Sequence, residues 1–164
     1  MSHSSIIGIA KNRIVREFIK DPEIIQAIDS DSVTLPEKLI NTHIFTYHQN
    51  PYTLETAGTF ITIQVQIPHS FYEADQTFVK PRIEIWVISH QKHMVVDNIP
   101  KVTDNRNDYL SKLIDKKING QSGYGIGEMK LIQNIEGAYQ SDYLYRQLIF
   151  EGTDLNKSMC REDE

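Results

Sequence analysis

The sequence contains few of the residues on which several protein classes depend. Its one cysteine, Cys160, excludes a disulfide within the chain and any metal site built from several thiolates. No apolar run approaches the ~20 residues of a membrane-spanning helix, and the first residues lack the charged and apolar regions of a secretory signal. We therefore expect a protein of a reducing cytoplasm that does not contact a membrane.

Positive charge is also scarce. The 17 Lys and Arg residues are outnumbered by 22 Asp and Glu residues, so the formal net charge is −5. A protein that wraps nucleic acid phosphates usually has the opposite sign. With 164 residues, 40% of them apolar, the chain is long enough for one globular domain. We predict a single domain over residues 1–155, followed by a flexible acidic tail at 156–164.

Hydrophobic periodicity predicts the order of the elements. Asp21 and Asp104 are the expected helix caps, and Gly120 stands where a helix ends. A turn is expected at Glu136-Gly137. The predicted helices cover residues 6–19, 22–28, 36–40 and about 105–118. The predicted strands cover residues 44–48, 59–67, 82–89, 94–97, 128–135 and 143–150. This order indicates an α+β fold, with an antiparallel β-sheet packed on one face by two main helices.

A glycine-rich segment, Gly123-x-Gly125-x-Gly127, follows the last predicted helix and precedes a strand. A dinucleotide-binding fingerprint needs its glycines between a strand and the next helix, with a different spacing. The segment is therefore interpreted as a flexible turn, and no cofactor is predicted.

Four histidines could support a metal site: His43, His48, His90 and His93. His90 and His93 have H-x-x-H spacing, but they lie where a strand runs into a turn, and no third ligand is evident. Surface histidines are the favoured interpretation, and a small metal-dependent enzyme stays an alternative. Cys160 lies in the polar tail, and no G-x-S-x-G motif is present. We predict no catalytic residue, no metal ligand and no enzyme.

Three features favour association with other proteins. Residues 68–81 form a long predicted loop that carries three aromatic residues, and long loops are often functional. Trp86 and Ile88 lie on the strand face opposite Ile83, Ile85 and Val87, so both faces must be covered, by this chain or by another. Tyrosine, a residue favoured at interfaces, occurs eight times. Coverage of both faces within the domain is the alternative.

The order of these segments resembles the small tail-terminator and head-to-tail joining proteins of long-tailed bacteriophages. The resemblance covers about residues 6–152. It includes the N-terminal helix followed by Asp21-Pro22, the strand from Arg82 that contains Trp86, the helix that ends at Asn119-Gly120, and the closing strand at 143–150.

The resemblance implies a structural virion protein, assembled in the host cytoplasm, that forms a ring between the tail tube and the head connector. Such rings are commonly hexamers, and DNA passes through them without specific binding. Long insertions at residues 50–58 and 68–81 leave a different neck or baseplate adaptor ring as the alternative. The expected contact residues are Tyr52, Phe71, Tyr72, Phe78 and Trp86, with Gly123 and Gly125 in an adaptable loop.

Overall fold

A computed structural model describes residues 3–30, 35–72 and 76–152, and it describes residues 69–72 and 76–79 by their backbone alone. The α-helices are α1 (His3–Lys20), α2 (Pro22–Ile28) and α3 (Arg106–Ile118). The strands are β1 (Ile44–Phe45), β2 (Thr59–Gln66), β3 (His69–Tyr72), β4 (Gln76–Val79), β5 (Arg82–His90), β6 (Met129–Tyr139) and β7 (Tyr143–Gly152). Short 3-10 helices occupy Pro36–Leu39, Pro51–Thr53 and Gln91–His93.

Five strands form one mixed sheet in the order β1-β2-β5-β7-β6, which confirms the α+β fold. All neighbouring strands are antiparallel except β1 and β2, which run parallel with Ile44 beside Ile61. The expectation of a wholly antiparallel sheet is therefore wrong at this edge. A parallel pair needs a connection that returns to the starting end of the sheet, and residues 46–58 supply that connection.

The main core lies between one face of this sheet and the helices. Alternation along the strands directs Ile61, Ile85 and Leu148 toward Ile14 and Phe18 of α1, and all five are buried. The break between α1 and α2 occurs where the sequence predicts it. Asp21 Oδ1 accepts hydrogen bonds from the amides of Glu23 at 3.0 Å and Ile24 at 3.3 Å, and so caps α2.

The sheet differs from the sequence prediction in three further places. Residues 68–81 are not a loop, because β3 and β4 pair as an antiparallel hairpin. Residues 94–97 form no strand. Strand β6 continues through the expected turn at Glu136-Gly137 as far as Tyr139. Gly137 marks a close approach instead, since a Cβ there would lie 2.5 Å from the Tyr145 hydroxyl oxygen.

Helix α3 begins one residue later than its predicted cap implies. The cap is Asn105, whose side-chain oxygen accepts from the Asp108 amide at 2.9 Å. Asp104 stands one position too early to reach that amide, and it pairs with Lys112 at 3.2 Å.

The first residue of α3, Arg106, is fully buried at 0% exposure. Its guanidinium donates to the carbonyl oxygens of His93 at 2.6 Å, Ala27 at 2.7 Å and Val95 at 2.9 Å. It also lies 3.5 Å from Asp29 Oδ2. Burial lowers the pKa of Arg106, and the nearby carboxylates oppose that shift. One side chain thus joins α3 to the end of α2 and to the segment that follows β5.

Candidate interaction surface

We call the sheet face opposite the helices the open face. Within the described residues, no α-helix contributes to the apolar cluster on this face. Its strand residues, from the register, include Phe60, Thr62, Gln64, Gln66, Glu84, Trp86, Ile88, Gln133, Ile135, Tyr139, Tyr143, Tyr145, Gln147 and Ile149. Helices therefore cover one side of the sheet, and the other side combines aromatic, amide and carboxylate groups.

An aromatic cluster lies at one end of the open face, where the segment 46–58 crosses the sheet. The rings of Trp86 and Tyr145 lie 4.5 Å apart, and those of Tyr52 and Tyr143 lie 5.1 Å apart. His48 makes an edge contact with Trp86 at 5.9 Å. The cluster comprises Phe45, His48, Tyr52, Phe60, Trp86, Tyr139, Tyr143 and Tyr145. The chain itself thus covers part of the second face of β5.

Tyr52 fixes this crossing segment to the turn between β6 and β7. Its hydroxyl donates to the carbonyl oxygen of Tyr139 at 3.3 Å and accepts from the amide of Asp142 at 3.0 Å. Burial, followed by the proximity of Tyr52 and Asp142, raises the pKa of Tyr143. Tyr52 remains 38% exposed, so its ring both supports the cluster and faces solvent.

Next to the aromatic cluster, Glu84 organises a polar patch. Its Oε1 accepts from the indole Nε1 of Trp86 at 2.6 Å and from the side-chain amide of Gln147. Its Oε2 accepts from the side-chain amide of Gln66 at 3.4 Å. These bonds hold the half-buried Trp86 in one orientation, so the shape of this part of the face is fixed within the chain.

Strand β6 forms the edge of the sheet beside this patch, and in the described part of the chain its only strand partner is β7. The loop after α3 covers the start of the edge, because the Leu131 amide donates to Asn119 at 3.0 Å. The ladder then shifts register between Leu131 and Gln133. Ile132, at that bulge, is 51% exposed, and Ile135, beyond it, is 43% exposed. An exposed edge with apolar side chains favours pairing with another chain.

The structure brings together only some of the predicted contact residues. Tyr52 and Trp86 both belong to the aromatic cluster. Phe71, Tyr72 and Phe78 lie in the β3–β4 hairpin, where only the backbone is described.

Gly123 and Gly125 lie elsewhere, on the helix side of the sheet. The carbonyl oxygen of Gly123 accepts from Arg13 of α1 at 3.2 Å. Gly125 has a φ of +80° and lies between the buried residues Tyr124 and Ile126. The turn between α3 and β6 therefore occurs where the sequence predicts it, and its contacts tie it to α1.

Sequence reasoning missed His48 and Glu84 as parts of this surface. Glu84 precedes Trp86 by two residues and so shares its strand face, a signal that was present in the sequence. His48 carried no such signal, because its contact with Trp86 depends on the path of the crossing segment.

The four histidines do not form one site. His43 stacks on Phe60, whereas His48 and His90 contact the rings of Trp86 and Tyr143. Burial, followed by the proximity of His93, lowers the pKa of His43. Among the described residues, no group of three His, Cys, Asp or Glu side chains could hold a metal ion.

His93 belongs to a chain of polar contacts that superficially resembles a hydrolase triad. Its Nδ1 lies 2.7 Å from Thr59 Oγ1, and its Nε2 lies 3.3 Å from Asp29 Oδ2. Thr59 and Ser89 also share a hydrogen bond at 2.8 Å, and Ser89 donates to Asn107 at 2.6 Å. Both hydroxyl residues are fully buried, so no substrate carbonyl can reach them in this packing. The contacts join α2, β2, β5 and α3.

Comparisons with known proteins identify a family. A search of curated proteins found no match. Over the described ranges, no helix is both long and apolar enough to cross a membrane. The YomW family model matches residues 11–151, from within α1 into β7. That family is phage-derived and includes YomW of a Bacillus prophage. Because the match covers most of the sequence, the chain belongs to the YomW family of phage-associated proteins.

Proposed function

We propose that this protein is a structural, non-catalytic component of a tailed phage particle. In this role it is a tail terminator or head–tail joining protein that forms a ring between the tail tube and the head connector. Membership of a phage-derived family supports the viral origin. The open face of the sheet supports assembly with other proteins.

The observation that carries the proposal is the β6 edge beside the open face. Ile132 and Ile135 expose large apolar side chains on this edge. Burying them against a neighbouring subunit removes apolar area from water, and the free backbone groups of an edge strand can pair with that neighbour. If each subunit contacts its two neighbours through two different patches, the contacts are head-to-tail. Such contacts form a ring when the rotation between neighbouring subunits returns to the first subunit.

The charge of the chain is compatible with this position. A net charge of −5 does not attract phosphates, so DNA can pass through the ring without specific binding. Six subunits are favoured by the resemblance to tail terminators, and the expected location is the virion. A different neck or baseplate adaptor ring would use the same face with other neighbours, and the position of the rings on labelled particles distinguishes these roles.

The test replaces one exposed residue of the edge. Ile135→Lys puts a charge on the proposed contact, and Val95→Lys is the matched control because Val95 is 75% exposed and lies outside the sheet. Light scattering and negative-stain imaging of the wild-type protein should show closed rings, either alone or after addition of purified tail tubes. Ile135→Lys should abolish these rings and leave thermal unfolding unchanged, whereas Val95→Lys should retain them.

If Ile135→Lys and Val95→Lys assembled equally well, the proposed contact at β6 would be contradicted. If the wild-type protein formed no rings either alone or with tail tubes, the proposed ring would be contradicted. Zinc titration tests the alternative of a metal-dependent enzyme. A stoichiometric rise in melting temperature with zinc would favour that alternative.

A further inference from the structure

A cleft of about 690 Å³ lies on the helix side of the protein, away from the open face. The second half of α1, the end of α3 and the loop 119–127 form its walls. Five cationic side chains line it: Arg13, Arg16, Lys20, Lys116 and Lys117. Three acidic side chains also line it: Glu17, Asp21 and Glu23. The cleft thus carries an excess of positive charge in a chain whose net charge is −5.

Two of these cations already have partners. Lys117 forms an ion pair with Asp21 at 2.9 Å, and Arg13 donates to the carbonyl oxygen of Gly123. The side chains of Arg16, Lys20 and Lys116 form no hydrogen bond or ion pair with any other described residue. With Lys117 paired to Asp21, four cations of the cleft remain against the two carboxylates of Glu17 and Glu23, and this excess of positive charge favours an anionic ligand.

The last described strand ends beside this cleft. Gly152 pairs with Met129, whose amide donates to the carbonyl oxygen of Gln121 at 2.9 Å, and Gln121 lines the cleft. The chain then continues with residues 153–164, which lie outside the described residues and include the consecutive acids Glu162, Asp163 and Glu164. An extended chain covers up to ~3.3 Å per residue, so these acids are within reach of the cleft.

We propose that the cleft between α1 and α3 is a docking site for an acidic peptide segment, and that its occupant is segment 153–164 of the same chain. Glu162, Asp163 and Glu164 would face Arg16, Lys20 and Lys116. Exposed ion pairs are individually weak, but a tethered segment has an effective concentration on the order of millimolar. The inference is independent of the proposed ring, because the cleft and the open face lie on opposite sides of the sheet.

The single cysteine provides the probe. Cys160 lies within the segment, so a nitroxide label can be attached to the natural sequence. We expect the label to broaden the backbone amide NMR signals of Arg16, Lys20, Lys116 and Tyr124, and to leave that of Tyr145 on the open face sharp. About 1 M salt, where the Debye length is ~3 Å, should restore the broadened signals.

Charge-reversal variants test whether the acids and the cations recognise one another. Changing the cleft by Arg16→Glu, Lys20→Glu and Lys116→Glu should abolish the broadening. The matched control reverses three exposed cations outside the cleft, Lys38→Glu, Lys92→Glu and Lys101→Glu, and should retain it at the same net charge. Adding Glu162→Lys, Asp163→Lys and Glu164→Lys to the cleft variant should restore the contact.

Several results would overturn the proposal. Sharp cleft signals in the labelled wild-type protein, or broadening that survives both high salt and the cleft reversals, would exclude charge-directed docking. Broadening of an isotope-labelled chain by a separate nitroxide-labelled chain would assign the segment to a second copy. A response of the cleft amides only to an added DNA oligonucleotide would assign the cleft to nucleic acid. None of these results would change the outcome of the Ile135→Lys test.

Discussion

Replacement of the buried Arg106 is expected to cause a large loss of stability. Arg106→Met keeps a long apolar side chain but removes every donor. The carbonyl oxygens of Ala27, His93 and Val95 then lose their bonds at 2.6–2.9 Å, and Asp29 loses its cationic neighbour at 3.5 Å. Each buried group left unsatisfied costs about 1–3 kcal/mol.

Not all of that cost will be realised, because carbonyl groups near the surface regain water. Removal of one partner from a buried charged network typically costs ~3–5 kcal/mol, and we expect Arg106→Met to fall in that range. Since the free energy of unfolding of a small domain is ~5–15 kcal/mol, the expected loss is a large part of the total stability. Arg106→Lys should retain little of the stability, because an ammonium group cannot reproduce the planar fork of donors.

Urea unfolding followed by circular dichroism measures this difference from the shift of the midpoint at constant slope. The matched control is Arg82→Met, which removes an exposed ion pair with Glu151 at 3.0 Å and should cost less than about 1 kcal/mol. A loss below ~1 kcal/mol for Arg106→Met would refute the reasoning, because the buried carbonyl groups would then have other partners.

Two further predictions concern the sheet and its edge. The Thr62 hydroxyl is buried and has no hydrogen-bond partner among the described residues, so Thr62→Val should raise stability by ~1 kcal/mol. Thr59→Val should instead lower the stability, because the Thr59 hydroxyl contacts Ser89 and His93. Urea unfolding measures the change in the free energy of unfolding for both variants. Changes of the same sign in the two variants would contradict the argument. Burial lowers the pKa of His43 from 6.5, so the unfolded chain binds more protons below that pH. The folded protein is therefore destabilised relative to the unfolded chain as the pH falls from above 6.5 toward the folded pKa, because the buried imidazole resists protonation. The free energy of unfolding, measured across that pH range, should decrease less for His43→Gln than for the wild-type protein. The same slope of this free energy against pH in both proteins would refute the assignment to His43.

The elements that the sequence predicts well are those with local signals. Asp21-Pro22 specifies both the end of α1 and the cap of α2, and strict alternation places Trp86 opposite Ile85 on β5. The β3–β4 hairpin was missed because the flanking prolines, Pro68 and Pro81, indicated a loop, and neither four-residue strand has a clear alternating pattern.

Contacts distant in sequence were beyond prediction. Tyr52 binds the turn at Tyr139 and Asp142 across 87 and 90 residues, and no local pattern encodes that pairing. The burial of Arg106 was missed for a related reason. An arginine in the first turn of an amphipathic helix is usually solvent-exposed, whereas three carbonyl groups from two other segments converge on Arg106. The candidate surface was therefore recognised through Trp86 and Tyr52 only.

The position of β7 has a consequence for synthesis on the ribosome. The last of the described strands in chain order, β7, lies inside the sheet, between β5 and β6. Until residues 143–152 leave the exit tunnel, β5 has a vacant side and β6 has no partner in the sheet. A nascent chain therefore cannot complete either the core or the open face before residues 143–152 emerge from the ribosome. Any interruption of translation before β7 leaves β5 and β6 with exposed strand edges, which makes the truncated product prone to aggregation.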